Sequence, residues 1–468
     1  METRYCPVYP RPVQNRWVAM WRALTGRASL LSQISETAYR MKMGRLRAPG
    51  LLTFIVNEPA SVRQVMVEQN DRFPKHRVMH DLLKPLLGRS IFTANGPAWE
   101  RQRKLMEPAF ETTRMEHAFP RMRASTDALM ERLARLPADQ PCDIEREMTH
   151  FTADTIFRTI FSTPLEAGNA RRIFDCFAAF QEATSKATEP RYRPNWWNRM
   201  WRGTDHAHAA NRLGGDIREL LAQQVSARYT AYHAGTEAAD QTDILAALLK
   251  VRDPDTDQPL SEEELVNEVA VLYLAGHETT SSALSWCLYF LARAPDIQQR
   301  MQAELDAVLG PEHQTIELES LRSLDLTRRV FRETLRLYPP LGFLLREASQ
   351  DCRLRDHEVP KGTAIVISPW IIHRHRRYWE RPDEFDPDRF LTEAGRASAA
   401  QAYLPFSIGP RVCVGAGFAQ QEALLVLATL VRRYHLAPAP GRVPCPMALL
   451  TLRSDIGIRL MLRPRTGA

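Results

Sequence analysis

Apolar residues recur at helical spacing through most of the chain, and the longest such stretch lies near its middle. It starts at Ser261, which three glutamates follow, and this is the pattern of an N-cap residue with acids in the first helical turn. It continues to about Ala294, ahead of Pro295, well beyond the usual helix length of about 8–20 residues. Because the stretch is apolar on most faces, we predict a helix that passes through the core.

The rest of the chain predicts more helix and a small amount of strand. Residues 53–69 predict a strand followed by a helix, whereas Pro85, Gly88 and Gly96 mark residues 77–97 as a long irregular segment. Helices are predicted from residue 99 to about residue 185 and at residues 205–232, 297–309, 321–338 and 416–431. Strands are predicted as hairpins over residues 352–367, around a turn at residues 360–362, and as a closing strand over residues 449–462. The predicted fold class is mainly α.

A single cysteine stands in a loop directly ahead of the last predicted helix. Cys413 lies between Gly409 and Gly415, two residues after Arg411. Unpaired backbone N–H groups and the positive end of the helix dipole favour its thiolate form. A nucleophilic thiolate would need a histidine base, and His435 is predicted at the far end of the helix. A thiolate ligand of heme iron needs no base, and a buried structural cysteine is the third interpretation.

The long central helix carries a glycine, an acid and an alcohol in close succession: Gly276, Glu278 and Thr279. A glycine inside a helix costs about 1 kcal/mol relative to alanine, which indicates that something approaches the backbone closely or that the helix deforms. An acid beside an alcohol can relay protons to a bound oxygen species. The alternative is a packing notch with a solvated glutamate. His277 is interpreted as a packing residue rather than a ligand.

Two further pairs lie at helical spacing. Glu333 and Arg336 are three residues apart and can form an ion pair, and Arg389 is a candidate third member. The alternative is an ordinary ion pair on a solvated helix, but because the helix is apolar around these residues, we predict a buried structural pair. Trp99 and Arg103 are four residues apart and can clamp an anion with an indole N–H and a guanidinium. The alternative for this pair is an aromatic cap with a surface arginine.

Composition and charge narrow the function classes. The 468 residues include 62 Lys plus Arg against 55 Asp plus Glu, a net charge of +7 that is spread along the chain. No basic tract with interleaved aromatics occurs, so we expect an acidic protein partner or a negatively charged surface, and no nucleic acid. The seven cysteines are scattered and form no Cys-x-x-Cys pair. This argues against a disulfide framework and a zinc site, and favours a reducing compartment.

The N-terminal region and one aromatic stretch bear on membranes. The best apolar candidate, residues 17–31, is interrupted by Arg22 and Arg27, so neither a spanning helix nor a signal peptide is predicted. We therefore expect a cytoplasmic protein without a transmembrane anchor. An aromatic, basic stretch contains Trp196, Trp197 and Trp201. One interpretation is that it anchors a loop in a groove. The other is that it forms a patch that makes a peripheral membrane contact or gates substrate entry.

Taken together, these motifs resemble those of the cytochrome P-450 superfamily, the heme-thiolate monooxygenases. The cysteine loop from Phe406 to Ala419 carries every position of the family signature, and residues 275–280 match its oxygen-activation motif. Further family motifs match at three places: Glu333 with Arg336, residues 382–390 with Arg389, and Trp99 with Arg103. The motifs follow the family order, and the resemblance covers nearly the whole chain.

The resemblance implies one triangular, mainly α-helical heme-thiolate domain over residues 1–468, with a long central helix and a small β-sheet portion. The β-rich parts would lie at about residues 45–70, 350–370 and 448–463. The helical parts would lie at about residues 98–345 and 416–435. A monomer is expected.

The resemblance also implies roles for individual residues. Cys413 corresponds to the axial thiolate ligand of heme b (iron protoporphyrin IX), and Glu278 with Thr279 to the groups that deliver protons to bound oxygen. The groups that bind the heme propionates correspond to Trp99, Arg103, Arg346 and Arg411. The substrate would be lined by mostly apolar segments, at residues 77–91, 272–280, 341–345 and 448–452.

The implied activity is insertion of one oxygen atom from O2 into a hydrophobic small molecule, by hydroxylation or epoxidation. Electrons from NAD(P)H would come through a separate ferredoxin or flavodoxin, because the chain shows no flavin or iron–sulfur domain. Arg101, Arg103 and Lys104 are candidates for receiving an acidic partner. The alternatives are a heme-thiolate isomerase, dehydratase or peroxygenase that needs no reductase, and a non-catalytic heme carrier or sensor.

Overall fold

The computed structural model describes residues 4–13, 30–48, 51–137, 139–165, 172, 175–177, 179–180, 182–184, 203–236, 241–310, 315–448 and 451–465. Trp196, Trp197 and Trp201 lie outside these residues, so the two interpretations of that stretch stay open. The chain forms two compact units. The first unit comprises Met1–Pro74, Thr126–Met148 and Thr279–Ala468, and the second comprises Lys75–Ser125 and Thr149–Glu278. The expectation of one domain over residues 1–468 stays a prediction.

Helices account for most of the described chain, and the mainly α prediction is confirmed. The α-helices with described bounds are α1 (Pro59–Arg63), α2 (Arg77–Leu87), α3 (Gly96–Met106), α4 (Thr112–Ala134), α5 (Ile144–Phe161), α6 (Gly203–His233), α7 (Ile244–Lys250), α8 (Glu262–Arg293), α9 (Pro295–Leu309), α10 (Leu318–Arg322), α11 (Asp325–Leu337), α12 (Pro369–Ile372), α13 (Glu393–Ala402) and α14 (Ala416–Arg433). A π-helical turn, Gln64–Glu68, follows α1.

The strands belong to the first unit and form small sheets. They are β1 (Met43–Ala48), β2 (Leu51–Val56), β3 (Cys142–Asp143), β4 (Leu344–Glu347), β5 (Cys352–Leu354), β6 (His357–Val359), β7 (Ala364–Ile367), β8 (Tyr434–Pro438), β9 (Pro446–Ala448), β10 (Leu452–Ser454) and β11 (Arg459–Pro464). The largest sheet has the order β1-β2-β7-β4, with β2 and β7 parallel and the other pairs antiparallel. A second sheet has the order β3-β11-β8, and β5–β6 and β9–β10 form hairpins.

The long helix α8 confirms the prediction made from the central apolar stretch. It begins with a reciprocal cap: the Ser261 backbone N–H donates to Glu264 Oε2 at 2.9 Å, and the Glu264 N–H donates to Ser261 Oγ at 3.3 Å. It ends at Arg293, ahead of Pro295. Within the described ranges, no helix is both long and apolar enough to cross a bilayer.

The prediction that residues 77–97 are irregular throughout is wrong for their first half, which forms α2. Leu83, Leu86 and Leu87 are buried at helical spacing, so packing stabilises this helix. Pro85 lies in the last turn, and the carbonyl it deprives of a partner belongs to Asp81, an exposed residue that water can solvate.

Two other element boundaries differ from the predictions. Residues 321–338 were expected to form one helix, but the chain leaves the helical conformation at Ser323 and Leu324, between α10 and α11. The hairpin turn in residues 352–367 lies at Arg355–Asp356, between β5 and β6, rather than at residues 360–362. Arg355 has a φ of 53°, a left-handed conformation that tight hairpin turns use.

A hydrophobic cluster in the first unit joins the largest sheet to the segment ahead of the cysteine loop. It includes Phe54 and Ile365 from adjacent strands, Met66 from the π-helical turn, and Leu404. Ile408 packs against the same cluster from one side. The sheet therefore supports the start of the cysteine loop through continuous apolar contacts.

Candidate functional site

The cysteine loop of the first unit is held by backbone contacts. The Cys413 N–H donates to the Phe406 carbonyl at 2.9 Å, and the Val412 N–H donates to the Gly409 carbonyl at 3.0 Å. Gly409 has a φ of 76°, and a Cβ at that position would lie 2.3 Å from the Met66 carbonyl oxygen. Only glycine fits there, because both the backbone conformation and the close approach exclude a side chain.

Cys413 is exposed and stands just ahead of α14. Gly415 is the N-cap of that helix, and its carbonyl accepts the Ala419 N–H at 2.9 Å. The loop thus presents the sulfur beside a helix N-terminus, where N–H groups and the helix dipole favour a negative charge. This geometry suits a thiolate ligand, and its assignment to that role stays a prediction.

Two predicted anion-binding residues of the first unit, Arg346 and Arg411, lie near each other. Arg346 in β4 is 6 % exposed, and its Nη1 donates to the Leu345 carbonyl at 3.1 Å. Burial, and then the positive charge of Arg411, lower the pKa of Arg346 to about 10. No acid of the described residues forms an ion pair with Arg346. Two cations brought together in this way create a site that favours an anion, since bound negative charge would relieve both burial and repulsion.

The helix α8 is buried along most of its length but is partly exposed at its centre. Between residues 265 and 292, every residue is buried except Ala275, Gly276 and Thr279. Ala275 and Thr279 are four residues apart and therefore lie on one face. Glu278 is 1 % exposed. Glu278 is therefore enclosed by protein, whereas its neighbour Thr279 is partly exposed.

Sequence reasoning missed the residues of α5 that hold this part of α8 within the second unit. A Cβ on Gly276 would lie 2.9 Å from Cγ1 of Ile156, so the glycine leaves room for this side chain. Thr152 donates from Oγ1 to the His277 carbonyl at 2.9 Å. The His277 ring packs as predicted, since Nδ1 is 2.8 Å from the Tyr273 carbonyl and the ring lies edge-on to Phe177. The only signal available was the four-residue spacing of Thr152 and Ile156.

The predicted anion clamp of the second unit lies on α3. Trp99 is 8 % exposed, and Arg103 lies one turn later on the same face. The Arg103 Nε donates to Glu107 Oε1 at 2.7 Å, so its guanidinium takes part in an ion pair on its own helix. The structure describes this pair within the second unit, and its role towards a propionate stays a prediction.

The cations expected to receive an acidic partner are engaged within the chain. Arg101 lies between two acids: its Nε is 2.6 Å from Asp253 Oδ2, and its Nη1 is 2.6 Å from Glu264 Oε1. Lys104 lies 2.9 Å from Asp255. These acids are about 150 residues away in sequence, so helical spacing could not reveal the pairing. Local charge on this face of α3 is thereby largely neutralised.

The predicted network of Glu333, Arg336 and Arg389 is present and buried. Arg336 donates to both oxygens of Glu333 at 2.8 Å, and Arg389 Nε donates to Glu333 Oε1 at 2.8 Å. Arg336 also donates to the carbonyls of His373 and Pro382 at 2.7 Å. Every one of these partners belongs to the first unit, and the prediction of a buried structural pair is confirmed.

These residues fit a heme with a single protein ligand to its metal. The described residues contain no group of three or more His, Cys, Asp and Glu side chains that could hold a metal ion by themselves. One exposed cysteine on a rigid loop can supply a single thiolate, and Arg346 with Arg411 can face the carboxylates that a heme carries.

Comparisons with known proteins agree with this chemistry. The family model described as "Cytochrome P450" matches residues 9–458. The chain is 32 % identical over 457 residues to the pentalenene oxygenase of Streptomyces avermitilis, covering 97 % of this chain and 96 % of the relative. It is 32 % identical to the cyclooctatin synthase of Streptomyces melanosporofaciens, covering 87 % and 85 %. The crystal structure of the cytochrome P450DA heme domain superposes with a TM-score of 0.79 at 26 % identity, covering 91 % and 90 %.

Proposed function

The chain belongs to the cytochrome P450 superfamily of heme monooxygenases, and we propose that it inserts one oxygen atom into a hydrophobic small molecule with electrons from a separate protein donor. In the overall reaction a substrate C–H bond becomes C–OH, or an alkene becomes an epoxide. The second oxygen atom of O2 leaves as water. The donor supplies two electrons, and two protons come from the solvent.

We assign heme binding to the residues that the family motifs single out. Cys413 would supply the sulfur ligand, and Arg346 with Arg411, together with Trp99 and Arg103, would hold the propionates. When bound, a heme with a thiolate ligand supplies the electron density that favours O–O cleavage. The fit is supported by the exposed sulfur on a rigid loop and by the buried cation that faces another cation.

Proton supply is assigned to the centre of α8. Thr279 is partly exposed at the centre of the helix, and its hydroxyl could donate a hydrogen bond and be reprotonated by a neighbour. Glu278, which precedes it in the chain, is buried and can carry the next proton. The partly exposed centre of this otherwise buried helix is the observation that carries the proposal.

A hydrophobic substrate is supported by the apolar composition of the segments that would line its site. The name of the Streptomyces avermitilis relative adds a candidate, pentalenene. Fatty acids, terpenoids, steroid-like and aromatic compounds form the remaining candidate classes. We further propose a cytoplasmic monomer that takes electrons derived from NAD(P)H through a ferredoxin or flavodoxin.

The first test concerns the ligand. The reduced protein with carbon monoxide should show the absorption band of a thiolate-ligated heme, and Cys413→Ala should abolish it. Cys352→Ala, which removes a partly buried cysteine in strand β5, is the matched control and should keep the band. Retention of the band in Cys413→Ala would refute the ligand assignment.

The second test concerns the reaction. Hydrophobic compounds are screened for a change in heme spin state, and binders are incubated with a surrogate ferredoxin, its reductase, NAD(P)H and 18O2. One 18O atom in the product, and no product without the electron donor, is the expected result. Product formation without a donor would indicate an isomerase or, with added peroxide, a peroxygenase. A spin-state change with no product under any condition would indicate a carrier or sensor.

A further inference from the structure

Helix α5 presents a row of buried threonines, and one of them behaves differently from its neighbours. Thr155 Oγ1 donates to the Phe151 carbonyl at 3.0 Å, and Thr159 Oγ1 donates to the Thr155 carbonyl at 2.7 Å. Both are bonds to the preceding turn of their own helix. Thr152 Oγ1 instead makes its shorter contact across to the His277 carbonyl of α8, at 2.9 Å.

Satisfying its own hydroxyl does not require Thr152 to reach α8. The Thr149 carbonyl lies 3.3 Å from the same oxygen and offers a local partner of the kind that Thr155 and Thr159 use. Thr152 is fully buried, so no water competes for its proton. The bond across to α8 is therefore a feature of the interface between α5 and α8 inside the second unit.

That bond falls on a peptide group next to the predicted proton-supplying residue. The carbonyl of His277 belongs to the peptide whose N–H is that of Glu278. Holding this carbonyl fixes the plane of the peptide and hence the direction in which Glu278 leaves the helix. Ile156, one turn along α5, packs into the notch at Gly276. Helix α5 therefore contacts two successive residues of α8, Gly276 through Ile156 and His277 through Thr152.

The bond also affects the helix itself. In an α-helix the His277 carbonyl is the acceptor for the N–H four residues later, that of Ser281. A second donor on the same oxygen weakens that intrahelical bond, and side chains that insert in this way locally open helices. The affected turn contains Glu278 and Thr279.

We propose that Thr152 is a positioning residue for proton supply, which orients the peptide between His277 and Glu278 and loosens the helical turn that carries Thr279. This inference rests on the function proposed above for Glu278 and Thr279. It adds a residue from a different helix, far away in sequence, that contacts neither the heme nor the substrate by assignment.

The test uses the full-length holoprotein and matched threonine variants. Thr152→Val removes the hydroxyl with little change in shape, and Thr152→Ser retains it. Thr155→Val is the control, because it removes an equally buried hydroxyl that bonds only to its own helix. Thr152→Ala also removes the hydroxyl, and it serves as the test if Thr152→Val fails to fold.

The first readout is hydrogen exchange of the Ser281 amide. Without the second donor on the His277 carbonyl, its intrahelical bond should strengthen, so exchange in Thr152→Val and Thr152→Ala should be slower than in the wild type. Thr152→Ser should match the wild type, and Thr155→Val should not slow it. A residue that only fills space would give unchanged or faster exchange after truncation, and that result overturns the proposal.

The second readout is coupling, measured as product formed per NAD(P)H consumed with the strongest binder from the spin-state screen. Loss of one hydrogen bond should lower coupling in Thr152→Val by up to about tenfold, with Thr152→Ser close to the wild type. Equal coupling in Thr152→Val and Thr155→Val overturns the proposal. If Glu278→Gln and Thr279→Ala also leave coupling unchanged, the proposed function of those residues fails instead.

Discussion

Two buried arginines of the first unit, Arg336 and Arg346, have a pKa lowered to the same value, about 10, in different surroundings. Arg336 is buried and makes hydrogen bonds to a carboxylate and to backbone carbonyls. Arg346 makes one bond to a neighbouring carbonyl and faces the cation Arg411. Burial is the largest cause in both cases.

The difference distinguishes a charge that is paired within the protein from one for which we propose a ligand. Around Arg336, Glu333 raises the pKa against burial, so its network is complete within the protein. Around Arg346, the second cause, the positive charge of Arg411, also lowers the pKa, and no carboxylate of the described residues forms an ion pair with Arg346. An unpaired buried charge costs free energy, and this cost supports the proposal that Arg346 binds an anion.

The largest effect is expected from breaking the complete network. Arg336→Leu leaves the buried Glu333 carboxylate without its main partner, and removing one member of a buried pair costs about 3–5 kcal/mol. The free energy of unfolding from denaturant titration should fall by that amount. A loss below about 1 kcal/mol would show that the network contributes little.

Replacing Arg346 should change heme retention rather than stability. Arg346→Leu relieves burial of an uncompensated cation, so the apoprotein should be no less stable than the wild type. Heme should transfer to a heme-scavenging protein about ten- to a hundredfold faster, because a charge-assisted bond to a propionate is lost. If stability falls as in Arg336→Leu and heme transfer is unchanged, Arg346 belongs with the structural arginines.

The comparison extends to a buried acid of the second unit. Burial raises the pKa of Glu268 in α8 to about 8, with a further rise from Glu264, although its carboxyl oxygens accept the Ile91 N–H at 2.9 and 3.2 Å. A raised pKa means that the folded state binds the proton more tightly. Stability is therefore lost as pH rises from the unfolded value near 4.5 through about 8.

Glu268→Gln should remove this loss while its amide oxygen can still accept the Ile91 N–H. We expect the variant to match the wild type within about 1 kcal/mol near pH 5 and to be more stable by about 3–4 kcal/mol at pH 8. Thermal or denaturant unfolding across that range provides the measurement. Parallel pH curves for the two proteins would contradict the assignment.

The smallest effect is expected at the exposed ion pair on α3. Lys104→Gln should change neither the stability nor the salt dependence of reduction by the electron donor, because Lys104 is exposed and Asp255 already balances its charge. Stopped-flow reduction at several ionic strengths would measure this. A marked fall in salt dependence would place the donor on this face after all.

How far the sequence predicts the molecule depends on the distance over which each feature is encoded. The network of Glu333 with Arg336 and the boundaries of α8 follow from residues three or four apart or from local caps, and both were predicted. The partners of Arg101, and the contact of Thr152 with His277, join segments that are more than a hundred residues apart. Helical spacing contains no information about them.

The helix α2 was missed for a different reason. Proline and glycine are strong local signals, and Pro85, Gly88 and Gly96 outweighed the spacing of the leucines. In the structure, Pro85 lies so near the helix end that it removes one hydrogen bond at a solvated carbonyl, while three leucines are buried. Tertiary packing thus overrode the local preference.

The close approach of Gly409 to the Met66 carbonyl has a consequence for the order of folding. The two residues are separated by more than 300 positions, so this contact closes a very long loop, and such contacts form slowly. The cysteine loop can take its final shape only after its own residues have been synthesised and have met a segment made near the beginning. Cofactor insertion is therefore expected late in synthesis or after it, and a time-resolved synthesis experiment should detect thiolate-ligated heme only on chains that extend well beyond the cysteine loop.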